Sequence, residues 1–179
     1  MFHLFNMLNK HVKNNLKYTP FDVSKWNVSN VTNMSYMFFG CKNFNCDLSS
    51  WDVSKVKDMS NMFTDCKMFE GNGLENWKVN NVENMTGMFN GCTKFNCDIS
   101  KWNVSKVNKI MSMFNNCWTF DCNLGNWDVS NVKDMSCMFS DCINFNCDLS
   151  KWNTNNVKCM DDMFGNCLSL KNKPSWYKK

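Results

Sequence analysis

One phrase is written six times along this chain, and that repetition limits the available folds more than any other feature. Tryptophans stand at 26, 51, 77, 102, 127 and 152, spaced by 25 or 26 residues, and Trp176 follows 24 residues later. Each opens nearly the same text, of the form Trp-[Asp/Asn]-Val-Ser-x-Val-x-[Asp/Asn]-Met-[Ser/Thr]-x-Met-Phe-x-x-Cys-x-x-Phe-[Asn/Asp]-Cys-[Asp/Asn]-Leu-Ser-x. Full units run 26–50, 51–76, 77–101, 102–126, 127–151 and 152–175. Part of a unit, 21–25, precedes them, and the start of one, from 176, follows. A fixed period between 20 and 50 residues marks a stacked-repeat architecture. One such unit carries too few large apolar side chains to offset the entropy of its own ordering, so it is stable only against copies above and below. The repetition is a requirement of folding before it is a functional code.

Two periodicities alternate inside each unit. Val31, Met34, Met37, Phe38 and Cys41 are spaced by three, three, one and three, which is the spacing of one face of a short helix. Ser29 or Asn30 is placed to cap its start. Phe44, Cys46 and Leu48, and again Trp26 and Val28, alternate with polar residues, which is strand spacing. The pattern predicts an α/β solenoid of about six coils, each a short strand plus a short helix. Residues 21–179 form the solenoid and end in a capping tail. Residues 1–20 read as an amino-terminal helical cap, because Phe5, Leu8, Val12 and Leu16 fall on one helical face and Pro20 ends the segment.

This compound motif, in six tandem copies from 21 to 176, resembles the BspA-type leucine-rich-repeat surface proteins, and more narrowly the mycoplasma-type repeat of unknown function. The resemblance implies a right-handed, leucine-rich-repeat-like solenoid. It also implies a role in adhesion or protein binding, since such proteins are mostly bacterial or protist surface proteins with relatives in large DNA viruses. It brings no motif of catalytic residues.

Composition narrows the function classes. The chain has 179 residues and a formal charge of +4, with all 20 basic residues lysine. The mild basic excess is spread along the chain, so neither nucleic acid nor a membrane surface is implied as partner. No run approaches the ~18 apolar residues of a membrane span. Asn6, Asn9 and Lys10 break up the amino terminus, so no signal-peptide core is read there. The expected location is therefore intracellular, cytoplasmic or in a virion, with cell-surface display requiring an export signal. Abundant Asn, Lys, Met and Phe suggest A+T-rich coding.

Residues that could carry chemistry fall into columns along the stack. Ten of the twelve cysteines form one complete column, Cys41, Cys66, Cys92, Cys117, Cys142 and Cys167, and a partial one, Cys46, Cys97, Cys122 and Cys147, interrupted by the "EGNG" at 70–73. A zinc site needs convergent thiolates or imidazoles, and both histidines, His3 and His11, precede the repeats. The cysteines therefore read as reduced, buried fillers, against the alternatives of disulfides between stacked copies ~5 Å apart or a bound metal; no cofactor is expected. The Met-Phe pairs (Met37/Phe38 and copies) read as core, and the tryptophans as structural with some corner exposure. Asn45, Asp47, Asn96, Asp98, Asp121, Asn123, Asn146 and Asp148 could pair carboxylates for calcium or acid–base work, but read as a solvated face or amide ladder. No nucleophile–base set or phosphate loop is present, so an enzyme is not expected.

The most informative places are those where a solvent column departs from its own pattern. The residue after the complete cysteine column reads Lys42, Lys67, Thr93, Trp118, Ile143, Leu168. It turns from charged to apolar over the last three coils, and an exposed apolar strip marks an interaction surface. The opposing expectation is that the tail, "NKPSWYKK", covers the strip. Tyr36 and Phe39 depart similarly in the first coil. The reading is thus a non-catalytic solenoid for protein recognition or scaffolding, with Trp118, Ile143 and Leu168 contacting a protein partner and self-association allowed. The alternative is a surface adhesin or a virion structural protein.

Overall fold

The segment expected to be helical is instead a succession of tight turns. The computed structural model describes residues 22–177. Among them there is no helix and no continuous strand, and the recognisable β-pairing between coils consists of isolated parallel bridges such as Asn33 to Asp58 and Asp58 to Asn84. The α/β solenoid with a short strand and a short helix in each coil is therefore incorrect. The expected helical cap at 1–20 lies outside the described residues.

The physical reason lies in two positions of each coil. Tyr36 and Gly40 have φ of 58° and 73°, and the same left-handed pair recurs at Asn61 and Asp65, Gly87 and Gly91, Ser112 and Asn116, Cys137 and Asp141, and Asp162 and Asn166. A right-handed helix cannot pass through a left-handed residue. Each of these residues is the third of a four-residue turn. The Met37 N–H donates to the Met34 carbonyl at 3.2 Å and the Cys41 N–H to the Phe38 carbonyl at 3.0 Å. A turn with positive φ at its third residue is of type II, which favours Gly and Asn there. The apolar spacing of three is thus the length of a turn, not the pitch of a helix.

The remaining amides point along the stack. In the first coil Met34, Tyr36, Phe38 and Gly40 donate to the carbonyls of Asp58, Ser60, Met62 and Thr64 in the second, at 2.7–2.9 Å. Amides two residues apart thus bond to the neighbouring coil, as in a parallel ladder, while others close turns within their own coil. Every backbone donor used between coils is lost to an i→i−4 helix.

Packing follows the columns. The rings of Phe38, Phe63, Phe89, Phe114, Phe139 and Phe164 stack through the core with centroids 5.5–5.8 Å apart. A second row of phenylalanines flanks them, as in Phe114 against Phe120 at 4.2 Å. The tryptophans, expected to be partly exposed, are buried from Trp51 to Trp152 and stack nearly parallel, Trp77 on Trp102 at 6.4 Å. Each indole Nε1–H donates to a carbonyl of an earlier corner, Trp77 to Leu48 and Trp102 to Leu74, at 3.1 and 2.9 Å. The one longer unit has its extra residue between Phe69 and Leu74, a stretch with two left-handed glycines, and a Cβ at Gly73, where φ is 87°, would lie 2.2 Å from the Ser49 nitrogen.

The repeat pattern carries on past the sixth coil. Trp176 takes the next place in the tryptophan column, 6.2 Å from Trp152, and its Nε1–H donates to the Leu149 carbonyl. Tyr177 packs edge-on against Phe164, with centroids 5.0 Å apart. No helix among the described residues is long and apolar enough to cross a membrane.

Candidate functional site

The columns that could have carried chemistry are used by the fold. In the complete cysteine column, the thiols of Cys66, Cys92, Cys117, Cys142 and Cys167 donate to the carbonyls of Phe38, Phe63, Phe89, Phe114 and Phe139, at 2.9–3.1 Å. Each thiol thus ties its coil to the one before. Burial pushes the thiols of Cys66, Cys92, Cys117 and Cys142 far above the ordinary range. The nucleophile and metal ligand is the thiolate, the form that burial disfavours at these four positions. In the partial column, burial and then the Glu75 carboxylate raise Cys97 to about 12.

The acidic and amide columns are similarly occupied. Asp47, Asp98, Asn123 and Asp148 accept the backbone N–H two residues on, at 2.8–3.0 Å, forming Asx turns at the corners. The Ser100 hydroxyl, then its amide, hold the Asp98 carboxyl below the usual range. Asn45, Asn96, Asp121 and Asn146 accept instead from the next coil, through the amides of Glu70, Asp121, Asn146 and Lys171 at 2.9–3.1 Å. These bonds tie the side chains of one coil to the backbone of the next. Among the described residues no three His, Cys, Asp or Glu side chains gather to hold a metal.

The strip read from the broken lysine column stands on the surface. Trp118 is 50% exposed, Ile143 37% and Leu168 77%. Successive coils are tied beside it, where the Asn144 amide donates to the Trp118 carbonyl and the Ser169 amide to the Ile143 carbonyl, at 3.2 and 3.1 Å. The three side chains therefore follow one another along the stack. Described residues of the tail do not cover them, because Trp176 and Tyr177 are committed to the tryptophan column and Phe164. Lys42 and Lys67 are exposed at the equivalent places.

Tyr36 and Phe39 are also exposed, their rings 5.6 Å apart. Sequence reasoning missed two further exposed side chains, Met68 and Met111. The signal was available. Met111 stands where other coils have Ser35, Ser60, Thr86, Ser136 and Asp161, and Met68 where they have Asn43, Lys94, Thr119, Asn144 and Ser169.

Repeating coils with these columns define a stacked-repeat protein. The family model described as "Mycoplasma protein of unknown function, DUF285" matches residues 4–73 and 65–177, and the chain belongs to that family. No curated protein matches it. Among solved structures it is similar to a leucine-rich repeat protein of T. pallidum, TpLRR. The two share 14% identity and a TM-score of 0.42, over 79% of this chain and 72% of that one.

Proposed function

We propose that this protein is a non-catalytic recognition scaffold that holds a protein partner on the strip formed by Trp118, Ile143 and Leu168. The observation that carries the reading is positional. The same column holds lysine in the first two coils and large apolar side chains in the last three, all exposed. The scaffold asks for no apolar residue there, so packing does not account for the strip. Exposed apolar patches on a rigid surface serve association, and tryptophan is a frequent anchor. A non-catalytic role agrees with the commitment of thiols and carboxylates to turns and inter-coil bonds. The shared repeat text also supports kinship with the BspA-type proteins.

The test compares native-cell proximity capture by the wild-type chain and by a Trp118→Lys/Ile143→Lys variant. Proteins captured only by the wild type, with both chains melting alike, are the expected result. The same set captured by both, or a variant that no longer folds, refutes the reading.

A further inference from the structure

The column that holds the apolar strip is one continuous track, pinned at every step between coils. The carbonyls of Lys42, Trp118 and Ile143 accept from the amides of Met68, Asn144 and Ser169 in the following coil, at 3.1–3.2 Å. Those of Lys67 and Thr93 accept from the hydroxyls of Thr93 and Thr119, at 3.2 and 3.3 Å. Lys42, Lys67, Trp118 and Ile143 are all exposed along this track, which therefore runs from basic to apolar over adjacent coils. Asp65 and Glu70 are the carboxylates nearest Lys67 in the chain. Asp65 leans on the next coil, where a Cβ on Gly91 would lie 2.6 Å from its Oδ1, and Glu70 shares a shallow groove with Lys94.

The repeat distance narrows the occupant. Parallel backbones tied as these are lie about 4.8 Å apart. The phenylalanine rows on either side of the column, at Phe38 and Phe44 and their copies, repeat at 5.5–6.3 Å. An α-helix rises about 5.4 Å per turn, which falls between these spacings. Side chains on one face of an extended strand are about 6.7 Å apart, longer than either, and would slip out of register over a few coils. A helix laid along the stack thus sets one side chain of its inner face against each coil. A second copy of this chain is a poor source of that helix. Its described residues contain none, and residues 1–20 hold three lysines and no carboxylate, so they would set like charges against Lys42 and Lys67.

We infer that the partner presents an amphipathic helix running along the stack, with carboxylates on the turns opposite Lys42 and Lys67 and large apolar side chains on the turns opposite Trp118, Ile143 and Leu168. The mode is recognition of a helix by its spaced anchors, with the lysines fixing its register and direction through charge complementarity. This inference rests on the reading of the Trp118 strip as a protein-binding surface, and it adds the partner's shape and charge.

The probe is a blocked alanine–glutamine helix of about six turns whose inner face reads Glu, Glu, Ala, Leu, Leu, Leu, one residue per turn. Added to the isotope-labelled full-length protein, it should shift the backbone amide signals of Lys42, Lys67, Trp118 and Ile143. Binding should weaken in high salt and fall about tenfold with Lys42→Glu/Lys67→Glu, and a peptide with lysine in place of both glutamates should recover it on that variant. The column already accepts Thr93, so Lys67→Thr is a second variant that keeps the fold and should lose part of the affinity. No binding, unchanged affinity for both lysine variants, or equal binding of a peptide broken by a central proline overturns the inference. If Trp118→Lys/Ile143→Lys still abolishes partner capture in that event, the strip stands and only the acidic helix falls. If that variant captures the same proteins and binds the peptide as tightly as the wild type, both fall.

Discussion

Replacing Ser112 by glycine should stabilise the protein relative to replacing it by alanine, which is the reverse of what a helix would do. Ser112 has φ 56°. Its backbone is fixed from both sides, since its amide donates to the Ser136 carbonyl at 2.9 Å and its carbonyl accepts from Asn115 at 3.2 Å. A side-chain-bearing residue held left-handed costs roughly 1–2 kcal/mol, while glycine gives back roughly 0.5–1 kcal/mol through its freer unfolded chain. The glycine variant should therefore exceed the alanine variant by about 0.5–1 kcal/mol. In a helix alanine would win by about 1 kcal/mol. The glycine at the same place in the third coil, Gly87 with φ 60°, shows that the turn accepts it. For a chain of this size 1 kcal/mol moves the melting midpoint by about 2–4 °C, so paired thermal and urea melts of the two variants decide the sign. If Ser112→Ala is as stable as Ser112→Gly, or more so, the turn explanation of the missing helix is wrong.

Phe114→Ala removes a fully buried ring stacked between Phe89 and Phe139. It should cost about 3–5 kcal/mol in urea-unfolding experiments; a loss below 1 kcal/mol would show that the ring stack is not the core. Trp118→Lys and Ile143→Lys should each change stability by no more than about 0.5 kcal/mol while weakening partner association by ~2 kcal/mol or more, read by melting and by titration of a captured partner. All twelve cysteines should be alkylated in denaturant without reductant, as judged by intact mass, and missing groups would contradict reduced thiols. Burial raises the folded thiols of Cys66, Cys92, Cys117 and Cys142. Their stabilisation is complete below the unfolded thiol range of ~8.5, and stability should fall as pH rises from there toward the folded values. Each contributes a slope approaching ~1.4 kcal/mol per pH unit, and urea midpoints that stay flat from pH 8 to 10 would refute it.

The repeat, its boundaries, the inward columns and the exposed strip were all legible in the sequence, because each depends on side-chain hydrophobicity counted at a fixed period. Phe38, Met62, Cys92 and Trp127 had to face other copies of themselves for any coil to be stable. The conformation of the coil was not legible in the same way. A spacing of three fits both a helical face and a run of four-residue turns, and only backbone angles and hydrogen-bond partners separate them. One column did hold a clue: Gly40, Asp65, Gly91, Asn116, Asp141 and Asn166 are all residue types that accept positive φ. Its companion, with Tyr36, Ser112 and Cys137, carried no such signal, because there the stack imposes the angle on residues that would avoid it alone. Burial of the tryptophans depended on the same contacts, since the Trp102 indole is satisfied by the Leu74 carbonyl 28 residues earlier. Sequence thus determined which side chains share a column, through hydrophobicity and period. Tertiary structure decided what the backbone does between them, because alternate amides are bonded to a neighbouring coil and no local propensity encodes that partner.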